Sequence, residues 1–294
     1  MSSSKAMCLL WKNFVKIGTL MKYPKTSEIC EMSSYSSDVS YPVPLYRKLH
    51  EETAYSALEY SCKKLEYSID RPGMNPRSIA EGIDDKVMGD IACIELKEFL
   101  KEKGVFVKTY DELRIDDYKQ PDPGWDLVAG SAAKKWLLRV GDPSIPDNDV
   151  IKLSVKSSRI PRGRTIEYCI SNFDFKIFRV HDTIVDDIIS EIEVQVYYQY
   201  EESRFIGFQV TSDQVKRAKR DGYHELMEKL DILERYRTPI LTAFIKREEM
   251  IEISKDLAGK NRAIWVSVHE GYNKEMWRMP LKLGRDIRKL PFFL

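Results

Sequence analysis

The sequence predicts an α/β (α+β) protein with one mixed central β-sheet flanked by helices. Three observations carry that expectation. Apolar residues recur at mostly three- and four-residue steps from Ile83 to Leu100, the spacing of a helix face. β-branched and aromatic residues crowd Ile192–Tyr198, which is strand composition. Helical and strand-like runs also interleave along the chain, and interleaving favours helices layered on a sheet. The 294 residues suffice for one large domain or two modest ones. With 43% hydrophobic and 32% charged residues, a sizeable core is expected and long disorder is not.

The elements follow in order. Ser2–Ser4 and the Ser33–Ser40 cluster read as flexible punctuation around a short amphipathic segment. Leu45, Leu49, Ala54, Leu58, Cys62 and Leu65 give helical spacing over 44–69, broken by Arg71-Pro72-Gly73. Residues 1–70 are therefore expected as an N-terminal arm or helical extension, and 71–294 as the main domain. The helix over 83–103 ends at Gly104, the residue type favoured just past a helix C-terminus. Val105–Val107, Leu127–Ala129, Trp136–Val140 and Val150–Val155 read as strands, with a turn-rich loop over Gly141–Asp149. A basic loop carrying Arg159, Arg162 and Arg164 comes next. Ile166–Ile170 and Phe175–Val180 look extended, Val215–Leu233 helical, Pro239–Ile245 apolar, and Arg262–Val268 a late strand. Met279–Leu294 mixes basic residues with Pro280 and Pro291.

Charge and cysteines bound the function class. A net charge of +1 argues against binding nucleic acid by bulk charge, while leaving room for one basic cleft. The five cysteines form no Cys-x-x-Cys pair and the four histidines do not cluster with them, so a zinc site is not expected. The odd thiol count suits a reducing cytoplasm. Lys12, Asn13 and Lys16 interrupt the apolar run Met7–Leu20, so it suits neither a membrane span nor a secretory signal. The expectation is a soluble, cytoplasmic protein with no membrane partner.

The chemistry gathers around two stretches. Gly124-Trp125-Asp126-Leu127-Val128-Ala129 opens an apolar run with an aspartate. Ile151-Lys152-Leu153-Ser154-Val155-Lys156-Ser157-Ser158 ends another with a lysine and polar residues. Neighbouring strands can bring these ends together at one rim. An acid and a lysine placed so are parts for holding a divalent cation and cleaving a phosphodiester. Adjacent strand residues point to opposite faces, so His181-Asp182 is no catalytic dyad. Lys216, Arg217, Lys219 and Arg220 read as an exposed helix face.

The order of a helix with an acidic residue, a strand, Asp, a strand and x-x-Lys resembles the core of the PD-(D/E)xK nuclease superfamily, over roughly residues 83–200. That superfamily includes most type II restriction endonucleases. The resemblance implies a restriction-endonuclease-like sheet, with residues 71–294 as a catalytic nuclease domain. Residue by residue, Asp126 matches the motif aspartate, Ser154 the middle carboxylate and Lys156 the lysine. Gly89-Asp90-Ile91-Ala92 resembles the position of a helix-borne glutamate, and Ser157-Ser158 the residues after the lysine in some members. Two departures stand out. Trp125 precedes Asp126 where the motif has proline; the literal Pro121-Asp122 lies before Pro123 in a turn. Ser154 replaces a carboxylate, and a hydroxyl is a poor Mg2+ ligand beside one. Some members with Ser-x-Lys draw the missing acid from another element. Glu167 is the first candidate here, with Glu191 and Glu193 next.

The roles so implied are these. Asp126 bridges metal and scissile phosphate, and Asp90 or Glu167 completes the Mg2+ shell. Lys156 contacts water and phosphate. Arg159, Arg162, Arg164, Ser157 and Ser158 line the path of the DNA. The expected protein is a Mg2+-dependent type II restriction endonuclease acting on double-stranded DNA as a homodimer. A structure-selective repair or junction nuclease and a non-catalytic DNA-binding module are the alternatives.

Overall fold

The computed structural model describes residues 41–67, 77–114, 116, 118–119, 123–130, 150–177, 184–199, 209–259, 264–269, 272–277 and 279–294. The serine clusters, Pro121-Asp122, the expected strand Trp136–Val140, the loop before Asp149 and His181-Asp182 lie outside the described residues.

Two long helices cover one face of the sheet. Helix α1 (Glu51–Leu65) starts on Glu51 and Glu52 and ends on Lys63 and Lys64, charges that complement the helix dipole. Helix α2 (Ile79–Glu102) is fixed by a capping box: Ser78 Oγ accepts from the Glu81 N–H, and the Glu81 carboxylate accepts from the Ser78 N–H. That cap places the start four residues before the periodicity becomes visible at Ile83. Gly104, at φ +79°, turns the chain out after the helix. Ala54, Leu58 and Cys62 of α1 are fully buried with Ile83, Val87 and Ile91 of α2. Helix α1, which falls inside the expected 1–70 arm, is thus built into the main core.

The sheet is mixed. Strands β2 (Phe106–Thr109), β3 (Leu127–Gly130) and β4 (Ile151–Arg159) form an antiparallel meander. Strand β5 (Ile192–Tyr198) is parallel to β4, and β6 (Ile240–Lys246) is antiparallel to β5. The short β1 (Leu45–Tyr46) and β9 (Arg285–Asp286) both pair with β6, giving the order β1-β6-β5-β4-β3-β2 with β9 beside β6. Strands β7 (Ile264–His269) and β8 (Tyr272–Trp277) make a separate hairpin.

Leu153 and Val155 of β4 join the core under α1 and α2, as do Ile192, Val194, Val196 and Tyr198 of β5. Alternation therefore turns Ser154, Lys156, Glu193 and Gln195 to the opposite face. Tyr198 donates from its hydroxyl to the Met88 carbonyl at 2.9 Å, tying β5 to α2.

Three expectations need correction, and one helix was not expected. Ile166–Ile170 is helix α4 (Ile166–Asn172), not a strand: Thr165 Oγ1 caps it by accepting from the Tyr168 N–H, and the parallel β4–β5 pair needs a crossover, commonly a helix. Arg159 is the last residue of β4 rather than part of the following loop. The helix expected over Val215–Leu233 is three short ones, α5 (Ser212–Asp221), α6 (His224–Lys229) and α7 (Ile232–Arg235). Gly222 at φ +100° and Asp231 at φ +50° make the breaks. Helix α8 (Arg247–Gly259) follows β6 directly and had no counterpart in the sequence reading. No described helix is long and apolar enough to cross a membrane.

Candidate active site

Asp126 is placed by the residues just before it. Gly124, at φ +91°, takes a left-handed turn that glycine adopts without strain. Trp125 is then buried edge-on against Tyr110, with ring centroids 5.0 Å apart, and packs with Val128. Backbone hydrogen bonds complete the fixation. The Asp126 N–H donates to the Leu153 carbonyl, and its carbonyl accepts from the Tyr110 N–H, both at 2.8 Å.

The side chain reaches across to β4. Its Oδ2 accepts from the Val155 N–H at 2.6 Å and lies 3.9 Å from Lys156 Nζ. Their side chains are 27% and 31% exposed, so both are open to a substrate. The sequence-derived pairing of Asp126 with Lys156 is thus present as geometry.

A cavity of about 310 Å³ opens beside Asp126, on the sheet face that α2 covers; Lys156 does not line it. Asp126 and Val155 form its sheet side, with Asp85, Lys86 and Asp90 from α2 and Asp111 from the short helix α3 (Tyr110–Leu113) opposite. Asp90 is buried and already engaged: Oδ2 accepts from Ser61 Oγ at 2.7 Å and Oδ1 from Lys64 Nζ at 2.5 Å. Burial pushes its carboxyl up to about 6, against the pull of the Lys64 ammonium. Lys64 also lies 2.5 Å from Asp111 Oδ2. Burial works to lower its pKa, but the two carboxylates outweigh it and hold the amine protonated. The sequence reading missed Lys64 and Asp111. Their only early signals were helix-terminal charge for Lys64 and the Thr109–Glu112 capping box around Asp111.

On the far face of the sheet, Ser154 and Glu193 are register partners across β4 and β5. Both are buried. Ser190 Oγ donates to Glu193 Oε1 at 2.5 Å, while among the described residues Glu193 Oε2 and Ser154 Oγ have no hydrogen-bond partner. The serine hydroxyl is near enough to favour the ionised carboxyl, yet falls outside hydrogen-bond geometry. Burial raises the Glu193 carboxyl above its ordinary range. The charge of Lys156 draws it back, and that of Asp126 adds to the rise.

The chain matches no family model, no curated protein and no solved structure.

The other expected site residues fall elsewhere or into other roles. Glu167, in the first turn of α4, has Tyr46 of β1 and Cys169 as its charged-state neighbours. In the sheet, β6, β5 and β4 stand between β1 and β3. Glu167 is therefore not brought to Asp126. The Glu191 carboxylate accepts from the Lys152 N–H at 2.6 Å. Arg159 turns inward: its guanidinium is bonded to Asp84 and donates to the Tyr236 hydroxyl at 3.2 Å. Asp84 also accepts from Arg235 and from the Tyr236 hydroxyl, each at 2.5 Å. An arginine held in that buried network is a structural tie rather than a DNA contact. Ser158 is buried and accepts from Gln195 Nε2 at 3.2 Å, while Ser157 is half-buried. Arg162 and Arg164 are exposed on the turn after β4, with Arg164 stacked 4.3 Å from the Tyr168 ring centre. Among the described residues, no group of three His, Cys, Asp or Glu side chains is arranged to hold a metal ion.

Proposed function

We propose that this protein is a Mg2+-dependent type II restriction endonuclease that hydrolyses double-stranded DNA, on a restriction-endonuclease-like sheet. The observation that carries the reading is the approach of Asp126 to Lys156, 3.9 Å apart, with both side chains partly exposed. The arrangement that first suggested the family supports it. Helix α2 with Asp90 precedes β2, Asp126 stands immediately before β3, and Lys156 lies on the adjacent β4.

The donor set fits magnesium, which takes oxygen ligands and is commonly held by only one or two carboxylates together with waters and substrate phosphate. Asp126 is the carboxylate that would hold it. When bound, the ion neutralises charge at the scissile phosphate and lowers the pKa of water. The chain's own groups do the rest. Asp126 is oriented by the Val155 N–H, which keeps its carboxylate at the rim. Lys156 offers N–H donors to the attacking water and to a phosphate oxygen. Arg162 and Arg164 supply exposed cations beyond the end of β4, where they can position phosphates without reading bases. Two subunits about a two-fold axis would cut both strands of a palindrome.

One observation favours a second reading. Ser154 stands where the motif has a carboxylate, which suits a DNA-binding module without catalysis. Incubation of linear phage DNA with the protein separates the two. Discrete fragments with Mg2+ and none with EDTA support the endonuclease. Binding without cleavage supports the module. Cleavage confined to branched substrates supports a junction nuclease.

A further inference from the structure

We infer that Glu193 is the second carboxylate of the cation site, delivered from β5 in place of the acid that Ser154 does not supply on β4. The inference rests on the nuclease reading of Asp126 and Lys156.

Register carries the first part of the argument. Ser154 and Glu193 are directly paired in the parallel ladder, and Lys156 pairs with Gln195 two residues on. Neighbouring strands run about 4.8 Å apart. A glutamate on β5 can therefore reach the space over Ser154 that a side chain on β4 would otherwise fill. Alternation puts Ser154, Lys156 and Glu193 on one face of the sheet.

The unsatisfied atoms carry the second part. Glu193 is only 4% exposed, and one carboxylate oxygen finds its bond in Ser190. The other oxygen and the Ser154 hydroxyl lie near each other, yet neither makes a hydrogen bond among the described residues. Buried polar atoms without partners are rare in folded proteins, and each calls for a reason. A ligand that accepts lone pairs is such a reason, and both orphaned atoms are oxygens with lone pairs to give. Electrostatics agrees. Glu193 responds to the charges of both Asp126 and Lys156, so the two carboxylates share one field. A divalent cation relieves the repulsion between them.

The other acids are otherwise engaged. Asp90 is bonded to Ser61 and Lys64, Glu191 to the Lys152 backbone, and Glu167 lies toward β1.

Calorimetric titration of the DNA-free, full-length protein with Mn2+ tests the assignment. Wild type is expected to bind the ion. Glu193→Gln is expected to weaken binding at least roughly tenfold, the loss seen when even an outer-shell partner is removed. Glu191→Gln should leave binding unchanged. Ser154→Glu combined with Glu193→Gln should restore it by returning the acid to β4. Glu193→Gln with wild-type affinity overturns the inference, and so does a folded double variant that fails to bind. If Glu193→Gln alone does not fold, the double variant decides on those same terms. DNA digestion alongside keeps the two claims apart. Mn2+ binding that needs Glu193 without any cleavage upholds the site and overturns the nuclease reading. Cleavage that needs Asp126 with normal Mn2+ binding in Glu193→Gln does the reverse. No Mn2+ binding by wild type overturns the assignment of Glu193.

Discussion

Two arginines close in sequence have opposite environments. Arg159 is bonded to Asp84 inside the fold, whereas Arg162 stands exposed three residues later. Removing Arg159 leaves part of a buried carboxylate unpaired. Arg159→Ala is therefore expected to lower stability by about 2 kcal/mol, the scale of a hydrogen bond to a charged group. Its DNA affinity should keep the wild-type salt dependence. Arg162→Ala should do the opposite, leaving the melting temperature unchanged and reducing the slope of log K against log salt by about one. Thermal unfolding and fluorescence anisotropy across a salt series read both. An unchanged melting temperature in Arg159→Ala would contradict the structural role. Residue type and position along the chain could not separate these cases. Arg159 is distinguished by Asp84 on α2 and Tyr236 beyond α7, contacts made only after distant elements pack.

Elements differ in how much of them the sequence disclosed. Strand β5 was legible to its ends, because every residue of Ile192–Tyr198 except Glu193 and Gln195 is β-branched or aromatic. Helix α2 was legible over most of its length from apolar spacing, while its start depended on the Ser78–Glu81 capping box. Replacing Ser78 with alanine is expected to cost about 1 kcal/mol by chemical denaturation, and no measurable loss would contradict the cap's role. Helix α4 was hidden by its composition, since Ile166 and Ile170 suit a strand, and what settles it is the crossover between two parallel strands. At the site, Asp126 and Lys156 could be read because each sits at a marked position on its strand. The tie among α1, α2 and α3 through Lys64 could not, since it exists only once those helices meet. That tie has a signature in pH. A carboxyl whose folded pKa stands above its unfolded value binds its proton more tightly in the folded state, so its ionisation erodes stability as pH rises. For Asp90 the window runs from the ordinary 3.8 to about 6. Lys64→Met removes the cation that compensates this. The variant should lose about 3 kcal/mol at neutral pH, and the loss should shrink as pH falls through 6, where Asp90 takes up a proton. Denaturant unfolding at pH 5 and pH 8 measures it; an equal loss at both would contradict the assignment.

Among the described residues, a two-helix layer and a mixed sheet meet so that the β3–β4 rim opens on a charged cavity. Given the chain's near-neutral net charge, the proposed DNA substrate would be held by local groups, and binding should weaken with salt only in proportion to those few contacts. The proposed two-fold assembly predicts a solution mass near twice 34.3 kDa by light scattering, and cuts placed symmetrically on the two strands. A monomer that nicks one strand would contradict it. The central claim is that Asp126 and Lys156 act together on a phosphodiester. Single-turnover cleavage of a linear duplex carrying the mapped site, compared among wild type, Asp126→Asn and Lys156→Ala, tests this most directly, with DNA affinity measured in Ca2+ on the same samples. Both variants are expected to keep their affinity and to lose cleavage by about 100-fold or more. Cleavage at the wild-type rate by either one would contradict the account.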